Sequence, residues 1–467
     1  MKKLLLIIIP ALVSCQSSDE AKVPIEYIDC STWENWNAED GLQCGFIMVP
    51  ENHSEPNGKQ IQLAFAVKKG KSDTGYPSFQ LSGGPGGDAM RNMNRFQRDS
   101  LLEIGDIILV DQRGMGKSSE LPDMGADVIE ILAEDLTLSE ESIAQGRLMD
   151  SARQVMKGRG VNPSNYNSTQ NALDFGVLMD ALGYEKYNLW GGSYGTKLGV
   201  YIMKHFPDRI NAAVLTAPAT LDNRALENRF PDLVNSLEKL LAHCAEDPEC
   251  SAQYPNLSDS LFAAISKLKV EPLVMNLDEG DFIINPQDAI FLVRYMLYRP
   301  NAIELITGFI DAVNSNKPES IIPIYRTSIT VFNGINTSTF YSFNAYEEFS
   351  DESMENINKH IANSRWLSEF GLAWFQTFIP HLSRLVDVRA SEADKTLEGI
   401  TVPTLVVTNS FDPVTPPENA EMFVKAIPGA QVLNSGNFGH GIFSNCMAKI
   451  RRGFLLDPKR AIDDSCL

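Results

Sequence analysis

Two periods of apolar residues alternate along this chain, and over its middle third one of them stops. From Cys44 to Val49 and from Ile61 to Lys68, β-branched and aromatic residues alternate with others, and the turn formers Pro56-Asn57-Gly58 lie between, which predicts a hairpin. Ser78 to Ser82 and Asp106 to Asp111 are short apolar runs, each closed by a glycine-containing turn and separated by a helix-length segment. Runs of that kind fit parallel strands covered on both faces. A helix is expected from an N-cap at Ser168 through Leu182, with Leu173, Val177, Leu178 and Leu182 on one face. Tyr187 to Trp190 and Ile210 to Thr216 read as strands around a helix from Thr196 to His205. Near residue 220 the strand pattern ceases, and amphipathic helical pattern dominates to about 396, as in Leu233 to His243, Leu261 to Leu268 and Trp366 to Leu385. Strand and helix resume with Thr404 to Asn409, Glu418 to Ala426 and Gln431 to Asn434. The pattern predicts a doubly wound α/β core with a mostly parallel sheet (residues 41–219 and 397–467), interrupted after its sixth strand by a helical cap (220–396).

The first residues follow a different logic. Lys2 and Lys3 precede an apolar run from Leu4 to Val13 that is too short for a permanent membrane-crossing helix, so residues 1–14 read as a signal peptide. The run closes on Leu12-Val13-Ser14-Cys15, which resembles a bacterial lipobox. That implies lipid on Cys15, residues 15–40 as a tether and N-terminal segment, and a place in the bacterial cell envelope, on the periplasmic side or in the outer membrane. With 43% hydrophobic and 21% charged residues, the 467-residue chain has the composition of a globular protein. Its formal net charge of −20, more negative still once Lys2 and Lys3 are removed, argues against nucleic acid as a partner. Of the seven cysteines, those other than Cys15 form an even set in a chain that reads as exported, which favours disulfides. Proximity suggests Cys30 with Cys44, Cys244 with Cys250, and Cys446 with Cys466. No cysteine and histidine spacing suits zinc, and neither a metal nor a cofactor is called for.

Candidate chemistry begins at Gly191-Gly192-Ser193-Tyr194-Gly195, a G-x-S-x-G run between a predicted strand and a predicted helix. There a serine takes a strained turn that lifts its hydroxyl above the strand end, so Ser193 is the candidate nucleophile. A serine needs a base and a group to orient that base, expected downstream in the order serine, acid, histidine. Among the six histidines only His440 follows the last predicted strand, in the loop Gly436-Asn437-Phe438-Gly439-His440-Gly441. Asp412 follows the strand before it, in Phe411-Asp412-Pro413-Val414-Thr415-Pro416, and is the candidate acid. Gly83 or Gly84, in Ser82-Gly83-Gly84-Pro85-Gly86-Gly87, should supply one backbone N–H to an oxyanion and Tyr194 the other. Asp111-Gln112-Arg113-Gly114-Met115-Gly116-Lys117-Ser118 lacks the spacing of a phosphate-binding loop and reads as a structural turn beside the site.

Together these runs resemble the prolyl aminopeptidase and tripeptidyl aminopeptidase branch of serine peptidases with the α/β-hydrolase fold. Gly-Gly-Pro-Gly-Gly, Asp-Gln-Arg-Gly-x-Gly-x-Ser, Gly-Gly-Ser-Tyr-Gly-Thr and Phe-Asp-Pro-Val-Thr-Pro occur in that family's order. Ser82, where the prolyl branch has histidine, and Cys244-Ala-Glu-Asp-Pro-Glu-Cys250 lean toward the tripeptidyl branch. The resemblance implies an aminopeptidase acting on peptides with free N-termini. It marks Glu347 as the cap carboxylate for the substrate's α-amine, with Glu227 as a second candidate. Ala345 stands where that branch has a cysteine, and Trp366 to Pro380 holds none, which implies one cap disulfide fewer. An esterase or other small-molecule hydrolase on the same fold, and a non-catalytic lipoprotein binding a partner through its cap, remain open alternatives.

Overall fold

The computed structural model describes residues 23–33, 41–96, 98–391, 397–441 and 444–467. The expected signal peptide and the lipid-bearing Cys15 lie outside the described residues. Nine strands form one sheet: β1 Ile25–Ile28, β2 Leu42–Pro50, β3 Gln60–Lys68, β4 Ser78–Leu81, β5 Ile107–Asp111, β6 Tyr187–Gly192, β7 Ile210–Thr216, β10 Thr404–Thr408 and β11 Gln431–Asn434. Their order is β1-β2-β3-β5-β4-β6-β7-β10-β11. From β5 to β11 neighbours run parallel, whereas β1, β2 and β3 are antiparallel and form one margin. Successive residues within a strand enter opposite cores. Leu405 and Val407 pack on one face with Leu109, Trp190 and Val214, while Val406 packs on the other with Ile108, Leu189 and Leu215. This alternation between two buried faces is why the central strands read as unbroken apolar runs.

The sequence expectation omits two features. β1, Ile-Glu-Tyr-Ile, is an edge strand of exposed and half-buried residues too short to show a period, so the insertion follows the seventh strand of the chain rather than the sixth. The cap is not purely helical, because β8 Leu273–Leu277 and β9 Gly280–Ile284 form a separate antiparallel hairpin within it. The run from Trp366 to Leu385 is also broken, into Arg365–Phe370, Phe375–Phe378 and the tighter turn Ile379–Arg384. The break falls at Gly371 and Trp374, both at positive φ. Here the indole of Trp374 packs among Phe340, Tyr341, Phe375 and Phe378 and donates to the Tyr341 hydroxyl at 2.9 Å. The cysteine-free segment is thus packed by aromatic contacts.

The cap lies on the glycine turns of the core. Asn336 donates its N–H to the Gly86 carbonyl at 2.9 Å, and Thr339 donates its hydroxyl to the Gly114 carbonyl at 2.6 Å. Gly114 sits at φ 86°, and a Cβ there would come within 2.6 Å of the Thr339 hydroxyl, so this approach requires glycine. Arg113 beside it is fully buried. It pairs with Asp174 through Nε at 2.7 Å and Nη2 at 2.6 Å and donates to the carbonyls of Pro50, Glu51 and Asn165. The Asp111–Ser118 run therefore acts as a structural turn. The disulfides Cys30–Cys44, Cys244–Cys250 and Cys446–Cys466 close loops of 14, 6 and 20 residues.

Candidate active site

β6 ends in a turn so tight that Ser193 adopts φ 54° and ψ −127° before the helix Tyr194–His205 begins. A non-glycine residue held there is strained, and the surroundings fix it. Its N–H donates to the Thr216 carbonyl at 3.1 Å, and its carbonyl accepts from the Thr196 N–H at 2.9 Å and the Thr196 hydroxyl at 2.6 Å. The flanking glycines differ in what they do. A Cβ on Gly195 would run into the Leu81 carbonyl, and one on Gly191 into the carbonyl of Gly195. Gly192 has only the Thr216 carbonyl, at 3.9 Å, near the place a Cβ would occupy.

Asp412, just past β10, is buried and accepts the N–H groups of Val414 at 2.9 Å and Thr415 at 2.8 Å, with the Thr415 hydroxyl at 2.8 Å. These donors orient the carboxylate toward His440, whose Nδ1 lies 2.9 Å from both of its oxygens. An ionised carboxylate only accepts, so this contact keeps the imidazole proton on Nδ1 and leaves Nε2 unprotonated as a base. The His440 ring also packs on Tyr298 of the cap, with ring centroids 4.9 Å apart. His440, Ser193 and Gly83 line one cavity of about 500 Å³.

Both oxyanion candidates on the glycine turn line a cavity with Ser193, Gly83 the larger one and Gly84 a smaller one, and Gly83 packs directly on the serine side chain. A Cβ there would lie 3.1 Å from the Ser193 Cβ and 3.6 Å from its hydroxyl, whereas one on Gly84 would meet the N–H groups of Gly86 and Gly87. The turn is braced by Gln112, whose amide donates to the Ser82 carbonyl at 3.1 Å and whose oxygen accepts from Asn171 at 2.6 Å.

A second, smaller cavity of about 60 Å³ opens on the other side of Ser193, toward the cap. Ala225, Asn228, Arg229 and Asp232 from one face of the helix Ala225–Glu246 line it, with Tyr194, Lys197, Glu347, Glu348 and Thr415. Glu347 and Glu348 are consecutive yet both buried, because they lie in a wide π-helical turn, Asn344–Glu348, closed by the Phe349 N–H on the Asn344 carbonyl at 3.0 Å. Between them sits the Lys197 ammonium, 3.1 Å from Glu347 and also bonded to Glu348, with Asn223 at 2.9 Å. Burial acts to strip that ammonium of its proton, but Glu348 and then Glu347 outweigh it and hold the group well above the ordinary lysine range. Glu347 further accepts the Ser168 N–H, and the Ser168 hydroxyl at 3.0 Å; Glu348 accepts the Ala225 N–H at 2.9 Å. Burial, with Glu347 nearby, pushes the Tyr194 phenol far up, so it stays neutral; its oxygen lies 2.9 Å from the Ser168 hydroxyl.

Two expectations need correction. Ser168 is not the N-cap of its helix; Asn167 is, accepting the Gln170 N–H at 2.9 Å, which frees Ser168 to meet Glu347. Glu227 falls off the cavity face of its helix, and its oxygens accept from Ser353 at 3.1 Å and Asn356 at 2.9 Å inside the cap. Sequence reasoning also passed over Lys197, Glu348, Arg229, Asp232 and Tyr298. For Lys197 a signal existed: four residues after Ser193, it lies one helical turn along the same helix.

The model of the alpha/beta hydrolase fold family matches residues 81–445, most of the chain and all of the residues just described around Ser193, Asp412 and His440. The chain belongs to the alpha/beta hydrolase family. A tripeptidyl aminopeptidase of Streptomyces lividans is 30% identical over 210 residues, 42% of this chain and 38% of that protein. Serine protease Hip1 of Mycobacterium tuberculosis is 24% identical over 326 residues, 64% of this chain and 62% of that one. The chain thus spans less than two thirds of the length of these relatives. Among solved structures, proline iminopeptidase from Mycobacterium smegmatis is 15% identical with a TM-score of 0.40, covering 87% of this chain and 96% of its own.

Proposed function

We propose that the protein is a serine aminopeptidase that cleaves peptides with a free N-terminus. The observation that carries this reading is charge: in the cavity beside Ser193, two buried carboxylates, Glu347 and Glu348, face one ammonium, Lys197. Among these three groups one negative charge is left for a substrate's α-ammonium, and Glu347 Oε1 and both Glu348 oxygens, each accepting one bond, keep a lone pair for it; Arg229 is the cavity's other cation. The tripeptidyl aminopeptidase among the relatives supports the same reading. Ser193 Oγ attacks the scissile carbonyl while His440 Nε2 takes its proton, and Asp412 stabilises the imidazolium. The N–H groups of Gly83 and Tyr194 receive the oxyanion, each worth about 3 kcal/mol. His440 then passes the proton to the departing amine, and water, activated by the same imidazole, releases the acyl group and restores Ser193.

The test compares a peptide amide with its N-acetylated form. The parent should prefer the free amine, and Glu347→Gln should reduce that preference by roughly 10- to 100-fold, the worth of a hydrogen bond to a charged group. Glu227→Gln should keep the preference. Equal cleavage of both peptides by the parent would exclude amine anchoring and favour an esterase. The lipobox-like run further supports a lipid anchor on Cys15. In that case Cys15→Ser leaves the membrane fraction, and intact mass of the native N-terminus shows acyl chains; a native N-terminus without lipid would refute it.

A further inference from the structure

The small cavity holds one more charge that the proposed chemistry does not use. Arg229 lines it together with Ser193, yet makes no ion pair among the described residues, and its Nε is sealed from solvent without a hydrogen-bond partner. Its guanidinium lies 5.3 Å from the ring centroid of Phe340 and 4.9 Å from that of Phe375, so aromatic rings hold its flank; Glu348 is near enough to favour its charge without pairing with it. Arg229 is half-buried; a guanidinium partly withdrawn from water is ordinarily paired, and an unpaired one lining a cavity with Ser193 has the character of an anion receptor.

We infer that Arg229 is a specificity-determining residue that receives the side-chain carboxylate of an aspartate or glutamate just before the scissile bond. This rests on the aminopeptidase reading above and deepens it: Glu347 and Glu348 take the cationic end of the substrate, and Arg229 takes an anionic side chain. Arginine suits the task because its planar fork can hold both carboxylate oxygens.

Asp232, one helical turn along and lining the same cavity, tunes this receptor. Burial, then the neighbouring Asp412 and Glu418, push its carboxyl up to about 8, against the pull of Arg229, with Asp222 adding a little. Burial and the nearby Arg294 bring Arg229 down to about 10, still charged at neutral pH. The other charged groups around the cavity are Lys197, Glu347 and Glu348, already bonded to one another. Below about pH 8 Asp232 is therefore neutral and leaves Arg229 available. Above it, the Asp232 carboxylate competes for the guanidinium.

The experiment measures kcat/KM for free-amine substrates carrying glutamate, glutamine or leucine before the scissile bond, both as amides and as activated esters. In the parent at pH 7, glutamate should exceed glutamine by about tenfold or more, the usual worth of a hydrogen bond to a charged group. Arg229→Met should bring the ratio near one, and Arg229→Lys should restore part of it. Should either variant fail to fold, the parent alone decides: its ratio should fall as pH rises through about 8, and in Asp232→Asn that fall should vanish. A parent ratio near one on both substrate classes overturns the inference while leaving the aminopeptidase reading intact. Amides left uncut while esters show the glutamate preference overturn the aminopeptidase reading and keep the receptor; no turnover of either overturns both.

Discussion

The two halves of the site are built by opposite means. On the core side, Ser193, Asp412 and His440 stand on short loops at the ends of β6, β10 and β11; Thr196 orients Ser193, Val414 and Thr415 orient Asp412, and Asp412, 28 residues back, orients His440. On the cap side, Glu347 meets Ser168, 179 residues away, and Glu348 meets Lys197 across 151. Backbone strain and glycine turns fix the first half, whereas buried charge fixes the second. The comparison teaches that the proposed reaction rests on local geometry, while the proposed substrate choice depends on how a distant segment docks.

Removing the nucleophile should separate the halves most sharply. Ser193→Ala should lower hydrolysis by roughly 10⁶-fold and abolish fluorophosphonate labelling, while circular dichroism and melting temperature stay near those of the parent. Labelling at another residue, or retained turnover, would remove Ser193 from its role. Lys197→Met should do the reverse and strike stability first. It strands two buried carboxylates without a counter-charge, so unfolding free energy should fall by about 3–5 kcal/mol, read by denaturant titration, with a clear drop in melting temperature. An unchanged midpoint would show that cap docking does not depend on this cation. The smallest effect sharpens the contrast within the core. Gly195→Ala, which forces a Cβ into the Leu81 carbonyl, should cost about 2 kcal/mol or more, and Gly192→Ala, whose Cβ would meet only the Thr216 carbonyl at an ordinary 3.9 Å, about 0.5 or less. Equal costs at the two glycines would contradict the packing described for the turn.

The same division governs what could be read from the chain. The central strands were legible because both faces are buried, and the loops of Ser193, Asp412 and His440 because each sits at a strand end with a characteristic turn. β1 was not, since it pairs through backbone with half-exposed side chains. The β8–β9 hairpin was masked by its helical surroundings. Glu347 was singled out only through a family resemblance, and its neighbour Glu348 carried no signal of its own. A wide helical turn that buries two successive carboxylates leaves no periodic trace. Arg229 and Asp232 look like the polar face of an amphipathic helix until the cavity beside them is known. Glu227, on the same helix and the second candidate from the resemblance, faces elsewhere.

Lys197 has a consequence for anyone who would treat the cap as an exchangeable module. Its ammonium belongs to the helix that begins at the nucleophile, but both of its carboxylate partners come from the insertion. A chimera carrying a foreign insertion without the Glu347-Glu348 pair would leave a cation sealed in the interior, one turn from the reacting serine. Grafting would then have to exchange the position at 197 together with the insertion, so the unit that can be transplanted intact extends past the 220–396 segment into the core itself.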